Sequence, residues 1–330
     1  MSRFKVVITD QVFPTTDLEE GLLGEIDATL EIADGTLEDV LAKGRDADAL
    51  LTTYFPITAE TVAGLENCQI IARYGIGVDN VDIAAANAAG IVVTNVPDYS
   101  VEEVSAHALA MLLSLLRRLP EADAAVRAGG WGIDSLRPIR RLSTLTVGLV
   151  GYGRISRRLA ESLTTLEMSV VSHDPYLEPA EGIPPLLTLE ELLRTSDAVS
   201  LHAPLTPDTR GLIGAKELAL MPSHAVLVNT SRGPLIVLDD LIAALESGEI
   251  RAAALDVFEQ EPLEADRIQG VPGLLASPHA AYYSEEALQE SQFKASTQIT
   301  KVLTGEDPDY PVKPFAQKAL LDSEVDHNLQ

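Results

Sequence analysis

Cysteine is almost missing from this 330-residue chain. The single Cys68 excludes an internal disulfide and any metal site built from clustered thiolates, and beside an apolar strand it reads as packing. Basic side chains are also scarce, with 24 Lys and Arg against 50 Asp and Glu, a formal charge of −26. That balance argues against nucleic acid, which is bound by cations neutralising phosphates. It fits either a solubility device or an adaptation to salty surroundings. Long apolar runs are lacking too: none approaches the ~18 residues of a membrane span, so no membrane partner is expected. The chain opens on a strand-like Phe4-Lys-Val-Val-Ile8 rather than a charged and apolar leader, which points to the cytoplasm. No metal ligand set is visible. What is present is an ordinary 46% of hydrophobic residues on a length that suggests two domains, each able to bury a core.

The most informative stretch is Thr146-Val-Gly-Leu-Val-Gly-Tyr-Gly-Arg-Ile-Ser-Arg-Arg-Leu-Ala160. It reads as an apolar strand, a two-glycine turn and the start of a helix. Gly151 permits a tight turn, and Gly153 lets backbone approach a pyrophosphate that the first helical N–H groups then face. The usual third glycine is Ser156, so an ordinary strand-to-helix turn remains open on this motif alone. A second apolar strand, Met168-Ser-Val-Val-Ser-His-Asp174, ends in an acid 21 positions after Gly153. A carboxylate about 20 residues on accepts the ribose hydroxyls and repels a 2′-phosphate. No Lys or Arg lies between Ser172 and Gly182, so the expected cofactor is NAD rather than NADP.

Before this motif, Lys5–Thr9, Ala28–Ala33, Ala49–Thr53, Gln69–Arg73 and Ile91–Asn95 read as short strands, separated by amphipathic pieces such as Leu37–Ala42 and Thr58–Leu65. This is the rhythm of a parallel sheet covered on both faces. It has no dinucleotide glycine motif, but Ala72-Arg-Tyr-Gly-Ile-Gly-Val-Asp-Asn80 is a strand running into a glycine loop. Such a loop either holds a small anion on its N–H groups or is simply a turn needing positive φ at Gly75 and Gly77. A long apolar helix then runs to Leu116, with Ser100 and Glu103 expected as a capping box and Pro120 as its end. It reads as a spine between domains, with His107 as a core residue. After Thr146 further strands are expected at Ala198–His202, Ala225–Asn229, Ala253–Val257 and Leu274–Ala276, then helix from Tyr283 to about Leu303. A last helix does not easily join a finished sheet, so it is expected to return to the first domain. Beyond Pro314 the acidic stretch from Phe315 to Gln330 reads as an appendage.

Three loops follow strands of the second series, where ligands of open α/β sheets collect. They offer Arg232, then Asp256, Glu259 and Glu261, then His279. A guanidinium clamps a carboxylate and polarises the neighbouring carbonyl. An imidazolium gives a proton to that carbonyl oxygen as hydride arrives. A carboxylate on a histidine's second ring nitrogen fixes the tautomer and raises its pKa. Taken singly, each residue has a plain alternative: a surface ion pair, a solvated acid or a satisfied loop histidine.

Together the segments resemble the D-2-hydroxyacid dehydrogenase family. The text that carries the likeness is Gly75-Ile-Gly-Val-Asp-Asn-Val-Asp82, Ser100-Val-Glu-Glu, Gly148-Leu-Val-Gly-Tyr-Gly-Arg-Ile, Asp174-Pro-Tyr, His202-Ala-Pro-Leu-Thr, Val228-Asn-Thr-Ser-Arg-Gly, Ala254-Leu-Asp-Val-Phe-Glu-Gln-Glu-Pro and Ser277-Pro-His. The stretches Val96-Pro-Asp-Tyr-Ser-Val-Glu-Glu and His279-Ala-Ala-Tyr-Tyr-Ser-Glu look most like the C-terminal-binding-protein branch. The resemblance implies two doubly wound α/β domains: a flavodoxin-like substrate domain (1–98 with 284–312) and an inserted Rossmann-type NAD domain (99–283), followed by a tail (313–330). It implies catalysis by Arg232, Glu261 and His279. Cofactor contacts would come from Gly151, Gly153, Arg154, Ile155, Asp174 and His202. Ala203, Pro204, Thr209, Thr230, Ser231 and Asp256 would add to them, Asp256 on the nicotinamide carboxamide. Substrate contacts would come from Tyr74, Gly75, Ile76, Gly77, Arg232 and Tyr282, with the N–H groups of Ile76 and Gly77 on the carboxylate. It further implies a homodimer joined through the NAD domain.

The expected function is therefore NAD-dependent interconversion of a 2-keto acid and a D-2-hydroxy acid. The alternatives are a non-catalytic NAD(H)-sensing protein of corepressor type and a dehydrogenase for another small anion such as phosphite. Tyr54, Phe55, Tyr74, Tyr282 and Trp131 are expected to line the side-chain pocket, suiting an apolar or aromatic keto acid more than a phosphorylated one. Arg73 keeps an acidic side chain open. Two departures from the family stand out: Ser156 should loosen helix–strand packing, and Val237 replaces an acid, so the next helix is expected to start near Asp239.

Overall fold

The computed structural model describes residues 2–313 and divides into two compact units, residues up to Tyr99 with those from Leu288 on, and Ser100–Ala287. The expected appendage from Phe315 lies outside the described residues. The first unit holds strands β1 (Phe4–Ile8), β2 (Ala28–Ile32), β3 (Ala49–Thr52), β4 (Ile70–Arg73) and β5 (Val92–Thr94). All pair in parallel, in the order β2-β1-β3-β4-β5. That is the flavodoxin-like doubly wound order. Val7, Leu50, Ile71 and Val93 share one packed cluster with Val40 of the helix Leu37–Gly44. Each such side chain, removed from water, contributes roughly 1.5–3 kcal/mol. The helix begins where Thr36 accepts the Asp39 N–H, and the helix Ala59–Ala63 begins with a capping box between Thr58 and Thr61.

In this order the winding across the sheet reverses between β1 and β3, where an open sheet leaves a crevice at its strand ends. At this point the chain's own carboxylate takes up the loop's donors. Asp10, just past β1, accepts the backbone N–H groups of Thr53, Tyr54 and Phe55 at 3.0, 2.6 and 3.1 Å. The hydroxyl of Thr9 adds a further donor at 2.6 Å. A second internal carboxylate, the fully buried Glu19, accepts the Tyr74 hydroxyl at 2.8 Å. The Gln292 amide donates to both its oxygens at 3.0 Å. Gln292 lies on the long helix Glu285–Leu303, and Lys294 on the same helix pairs with Asp98 at 2.8 Å.

The second unit holds β6 (Thr146–Val150), β7 (Ser169–His173), β8 (Ala198–Leu201), β9 (Val226–Asn229), β10 (Ala252–Leu255) and β11 (Leu274–Ala276). Their parallel order is β11-β10-β9-β8-β6-β7. The faces separate with the period of two expected of strands. Val147, Leu149, Val226 and Val228 pack with Leu112 and Leu163 of the helices Val101–Leu116 and Arg154–Thr165. Val150, Leu201, Leu227 and Leu255 face the other way, onto Leu192 and Leu241.

Several local expectations give way. Ser100 precedes the helix Val101–Leu116 but caps nothing: its backbone (φ −127°, ψ 26°) is not extended, and its hydroxyl is buried without a partner. Glu103 instead accepts the Ser284 hydroxyl at 2.7 Å. Pro120 does not end that helix, which stops at Leu116; it sits in the first turn of the next one, Leu119–Arg127, where its missing N–H costs nothing. The helix after Arg232 starts at Leu238 rather than Asp239, with Val237 as an extended residue before it. Ser156 is fully buried, so a hydroxymethyl is accommodated where a glycine was expected, at the cost of an unpartnered hydroxyl.

Asp10→Ala should leave three N–H groups of the 53–55 loop without their acceptor. A fully buried donor so stranded costs about 1–3 kcal/mol; these are partly exposed, so the denaturation midpoint should fall by an amount toward the low end of that range. A midpoint equal to that of the parent protein would show that water replaces the carboxylate at no cost.

Candidate active site

The order of the second sheet reverses at β6, which has β7 on one side and β8 on the other, and the glycine turn leaves from that point. Gly151 has φ +86°, and a Cβ there would lie 2.8 Å from the Ala203 nitrogen and the His202 carbonyl. Only glycine fits, for conformation and for space. At Gly153, by contrast, a Cβ would meet nothing within 4 Å, and no side chain caps the helix that starts at Arg154. Open space above uncapped N–H groups is what a pyrophosphate requires. Asp174 holds the turn from the far side: one carboxylate oxygen accepts the Tyr152 N–H at 2.9 Å and the other the Tyr176 N–H at 3.0 Å. Each oxygen keeps a lone pair, so a ribose diol fits these residues.

The neighbouring cofactor candidates are held by internal bonds. His202 stays neutral, because burial pushes its pKa down to about 4, and its Nε2 lies 2.9 Å from the Ser200 hydroxyl. Thr209 donates its hydroxyl to the Pro204 carbonyl at 2.7 Å, shaping the loop that carries Ala203 and Pro204. Ser231 donates to the Leu201 carbonyl at 2.9 Å, while the Thr230 hydroxyl is buried without a partner. Asn229 is a residue that motif reading passed over. Fully buried, it donates to the Arg232 carbonyl at 2.8 Å and accepts the Ser231 N–H at 3.0 Å, so it folds the loop that presents Arg232.

Two of the three proposed catalytic side chains are bonded to each other. The Nδ1 of His279 lies 2.6 Å from Glu261 Oε2, and Glu261 Oε1 accepts the Phe258 N–H at 2.8 Å. Burial pushes the Glu261 pKa up. The hydrogen bonds from His279 and Phe258 and the charges of His279 and Arg232 outweigh it, so the net shift is downward. Arg232 is thus electrostatically coupled to the pair, and its Nη1 also donates to the Ser231 carbonyl at 2.8 Å. The loops carrying Arg232 and Glu261 meet backbone to backbone at Gly233, where a Cβ would fall 1.9 Å from the Phe258 carbonyl. The ring of Tyr282 stands edge-on to His279, centroids 6.2 Å apart. Asp256 is 1% exposed, and its carboxylate accepts the N–H groups of Ala280 and Ala281, each at 2.9 Å.

In the first unit Gly75 has φ +133°, and a Cβ there would lie 2.0 Å from the Arg73 guanidinium. The loop is fastened by the Asn95 amide donating to the Ile76 carbonyl at 2.7 Å and by the Val96 N–H on Gly75. Tyr74 is a correction to the expected substrate contacts. It is 3% exposed, gives its hydroxyl to Glu19 and stacks edge-on to Phe13, so its side chain belongs to the interior. Phe55 is buried as well, and Trp131 stands 95% exposed, leaving Tyr54 and Tyr282 of the expected aromatic lining. His107 is no core residue: it is half-buried, with Nε2 3.1 Å from the Ser277 hydroxyl. Among the described residues no group of three or more His, Cys, Asp or Glu side chains could hold a metal ion.

Gly233→Ala should force the two catalytic loops apart and destabilise the protein by about 1–3 kcal/mol, the usual cost of overpacking. Gly21→Ala, in a helix where a Cβ meets nothing, should instead stabilise by about 0.5–1 kcal/mol. Denaturation midpoints of the two variants check the contrast; equal shifts would show that the contact at Gly233 yields freely.

Comparison with known proteins bears on this geometry. Residues 109–281 match the family described as D-isomer specific 2-hydroxyacid dehydrogenase, NAD binding domain. The chain is 36% identical to the D-3-phosphoglycerate dehydrogenase of Methanocaldococcus jannaschii over 92% of its own length but only 58% of that protein's. It therefore spans little more than half the length of that relative. A glyoxylate reductase of Aeropyrum pernix is 34% identical, with 93% of this chain and 95% of the relative covered. Among solved structures, the TT0316 protein from Thermus thermophilus superposes with a TM-score of 0.85 at 33% identity, covering 94% of this chain and 100% of the other. With a dinucleotide turn at the sheet's reversal point and an acid-backed histidine on the same strand ends, the chain belongs to the D-isomer specific 2-hydroxyacid dehydrogenase family.

Proposed function

We propose that the protein is an NAD-dependent oxidoreductase that interconverts a 2-keto acid and a D-2-hydroxy acid. The observation that carries this reading is the His279–Glu261 pair at 2.6 Å, coupled to Arg232 on adjoining loops. With Nδ1 held by the carboxylate, proton exchange with the substrate oxygen falls to Nε2 of the same ring. Arg232 clamps the substrate carboxylate and polarises its neighbouring carbonyl. In the first unit, the Gly75–Gly77 loop carries N–H groups of the kind that receive a small anion. When bound, the nicotinamide supplies or takes up the hydride. Asp174 selects NAD, because a 2′-phosphate would set like charges together beside a carboxylate already fixed by two N–H groups.

A small, unphosphorylated keto acid suits the chain best. From Thr52 to Thr58 no basic residue occurs, and the N–H groups that could receive a phosphate in the 53–55 loop already serve Asp10. The relative named glyoxylate reductase, matched over 95% of its length, points the same way. The protein acts as a cytoplasmic homodimer joined through the second unit. Supporting this, Leu119, Val126, Trp131 and Ile133 are all more than half exposed within one short segment. No helix among the described residues is long and apolar enough to cross a membrane.

Purified protein with NADH and a panel of pyruvate, glyoxylate, hydroxypyruvate, phenylpyruvate and phosphohydroxypyruvate should lose absorbance at 340 nm. His279→Ala should lower kcat about 10²–10⁴-fold, the range for a general acid. NADH should be preferred to NADPH by about tenfold or more. Undiminished activity in the variant would remove His279 from the proton path, and equal use of both cofactors would remove Asp174 from selection. NADH-dependent capture of a protein partner with no turnover of any keto acid would favour a sensor instead. Sedimentation velocity should give a dimer that Trp131→Glu dissociates; a monomeric parent protein would dismiss the proposed interface.

A further inference from the structure

The turn that carries His279 is fastened to two residues. The Ser277 N–H donates to the Leu255 carbonyl at 3.0 Å, and the His279 N–H to the Asp256 carbonyl at 2.7 Å. The N–H groups of Ala280 and Ala281 both go to the Asp256 carboxylate, and Pro278 has none to give. Every backbone donor from 277 to 281 therefore lands on the end of β10. This stitching holds His279 at φ +54°, a left-handed conformation that a non-glycine residue adopts only when its surroundings impose it.

Asp256 is in turn tied to the helix Val101–Leu116, and the direction of that tie follows from proton counting. The Ser277 hydroxyl lies 2.5 Å from Asp256 Oδ1 and 3.1 Å from His107 Nε2. It has one proton, and a carboxylate only accepts, so that proton points at Asp256. The hydroxyl oxygen must then accept from His107, which places a proton on Nε2. The result is a chain of donors running from the His107 ring through Ser277 to the Asp256 carboxylate. His107 Nε2 stands 3.8 Å from that buried carboxylate.

We propose that His107 and Ser277 are positioning residues for His279, acting through Asp256. The proposal rests on the catalytic reading of His279 given above. Among the described residues Asp256 Oδ2 accepts the Ala281 N–H alone, so its part in this tether leaves a lone pair for a cofactor amide. Losing the Ser277 hydroxyl or the His107 N–H weakens the hold on the carboxylate that gathers the turn. The His279 ring then loses the placement that its bond to Glu261 assumes.

The test compares Ser277→Ala, His107→Leu and His107→Gln in the full chain, the last retaining an N–H donor. Hydrogen exchange of the segment 277–283, read by mass spectrometry, should quicken about tenfold in Ser277→Ala and His107→Leu. Their kcat should fall about 10- to 100-fold, as expected for a reacting group displaced by a fraction of an ångström to one ångström. His107→Gln should restore exchange to the parent rate and most of kcat. Unchanged exchange in the first two variants, faster exchange with unchanged kcat, or a glutamine variant as impaired as the leucine one would each overturn the proposal. The exchange arm needs no turnover. A parent protein inert toward every keto acid, yet showing the expected exchange pattern, would sink the catalytic reading and leave the tether standing.

Discussion

Parallel sheets end in loops whose N–H groups have lost their strand partners, and each buried donor must find an acceptor. In this chain the acceptor is repeatedly an aspartate one or two residues past a strand. Asp10 after β1, Asp174 after β7 and Asp256 after β10 each gather donors from a neighbouring loop. Glu261 does the same on a single N–H before it turns to His279. The site depends on this device, because its reacting groups sit on loops that would otherwise have no fixed shape. Much of the acidic excess on the surface is solvated, but these carboxylates are part of the framework.

The opposite ends of the two sheets show the same economy. Asp48, just before β3, accepts the Lys5 N–H at 2.8 Å with its side chain, while its own N–H donates to the Lys5 carbonyl. Asp197, just before β8, treats Thr146 in the same way at 2.8 Å. In both units an acid thus locks the first strand to the strand that starts the return across the sheet. The pattern is visible as Asp-Ala before an apolar run in both halves, yet nothing in one segment taken alone says that a distant strand end needs its carboxylate.

That limit describes what the sequence could and could not disclose. Strand positions and the parallel βαβ rhythm followed from β-branched runs and their spacing, because period and length are local properties; the two doubly wound domains were implied by the family resemblance. That an acid backs the histidine followed from residue types at strand ends, whereas the choice of Glu261 among Asp256, Glu259 and Glu261 was implied by the family resemblance. Tyr74 was misjudged because an aromatic next to a glycine loop looks like a pocket wall, and only packing reveals Glu19 behind it. Ser100 failed as a cap for a similar reason: the right residue at the right spacing has the wrong ψ. His107 looked like core because its helix is apolar throughout, whereas its partner Ser277 lies 170 positions away. Asn229 and Gly233 were inside a quoted motif, but their service is to backbone geometry, which no residue type announces.

The Glu261–His279 pair shows how the framework and the chemistry meet. Burial alone would raise the carboxyl's pKa and invite it to share the proton, but the bonds from His279 and Phe258 and the positive charge of Arg232 bring it below its ordinary value of 4.5. A group whose folded pKa is depressed adds stability that is present above its unfolded value and lost as pH falls through the folded one. Glu261 is therefore ionised near neutral pH, where its carboxylate holds the His279 ring at Nδ1. The carboxylate is a fixed negative charge against Nδ1 of the ring. A glutamine there would keep an acceptor but forfeit the charge, so the residue type before Pro262 sets the electrostatics against the His279 ring as well as its orientation.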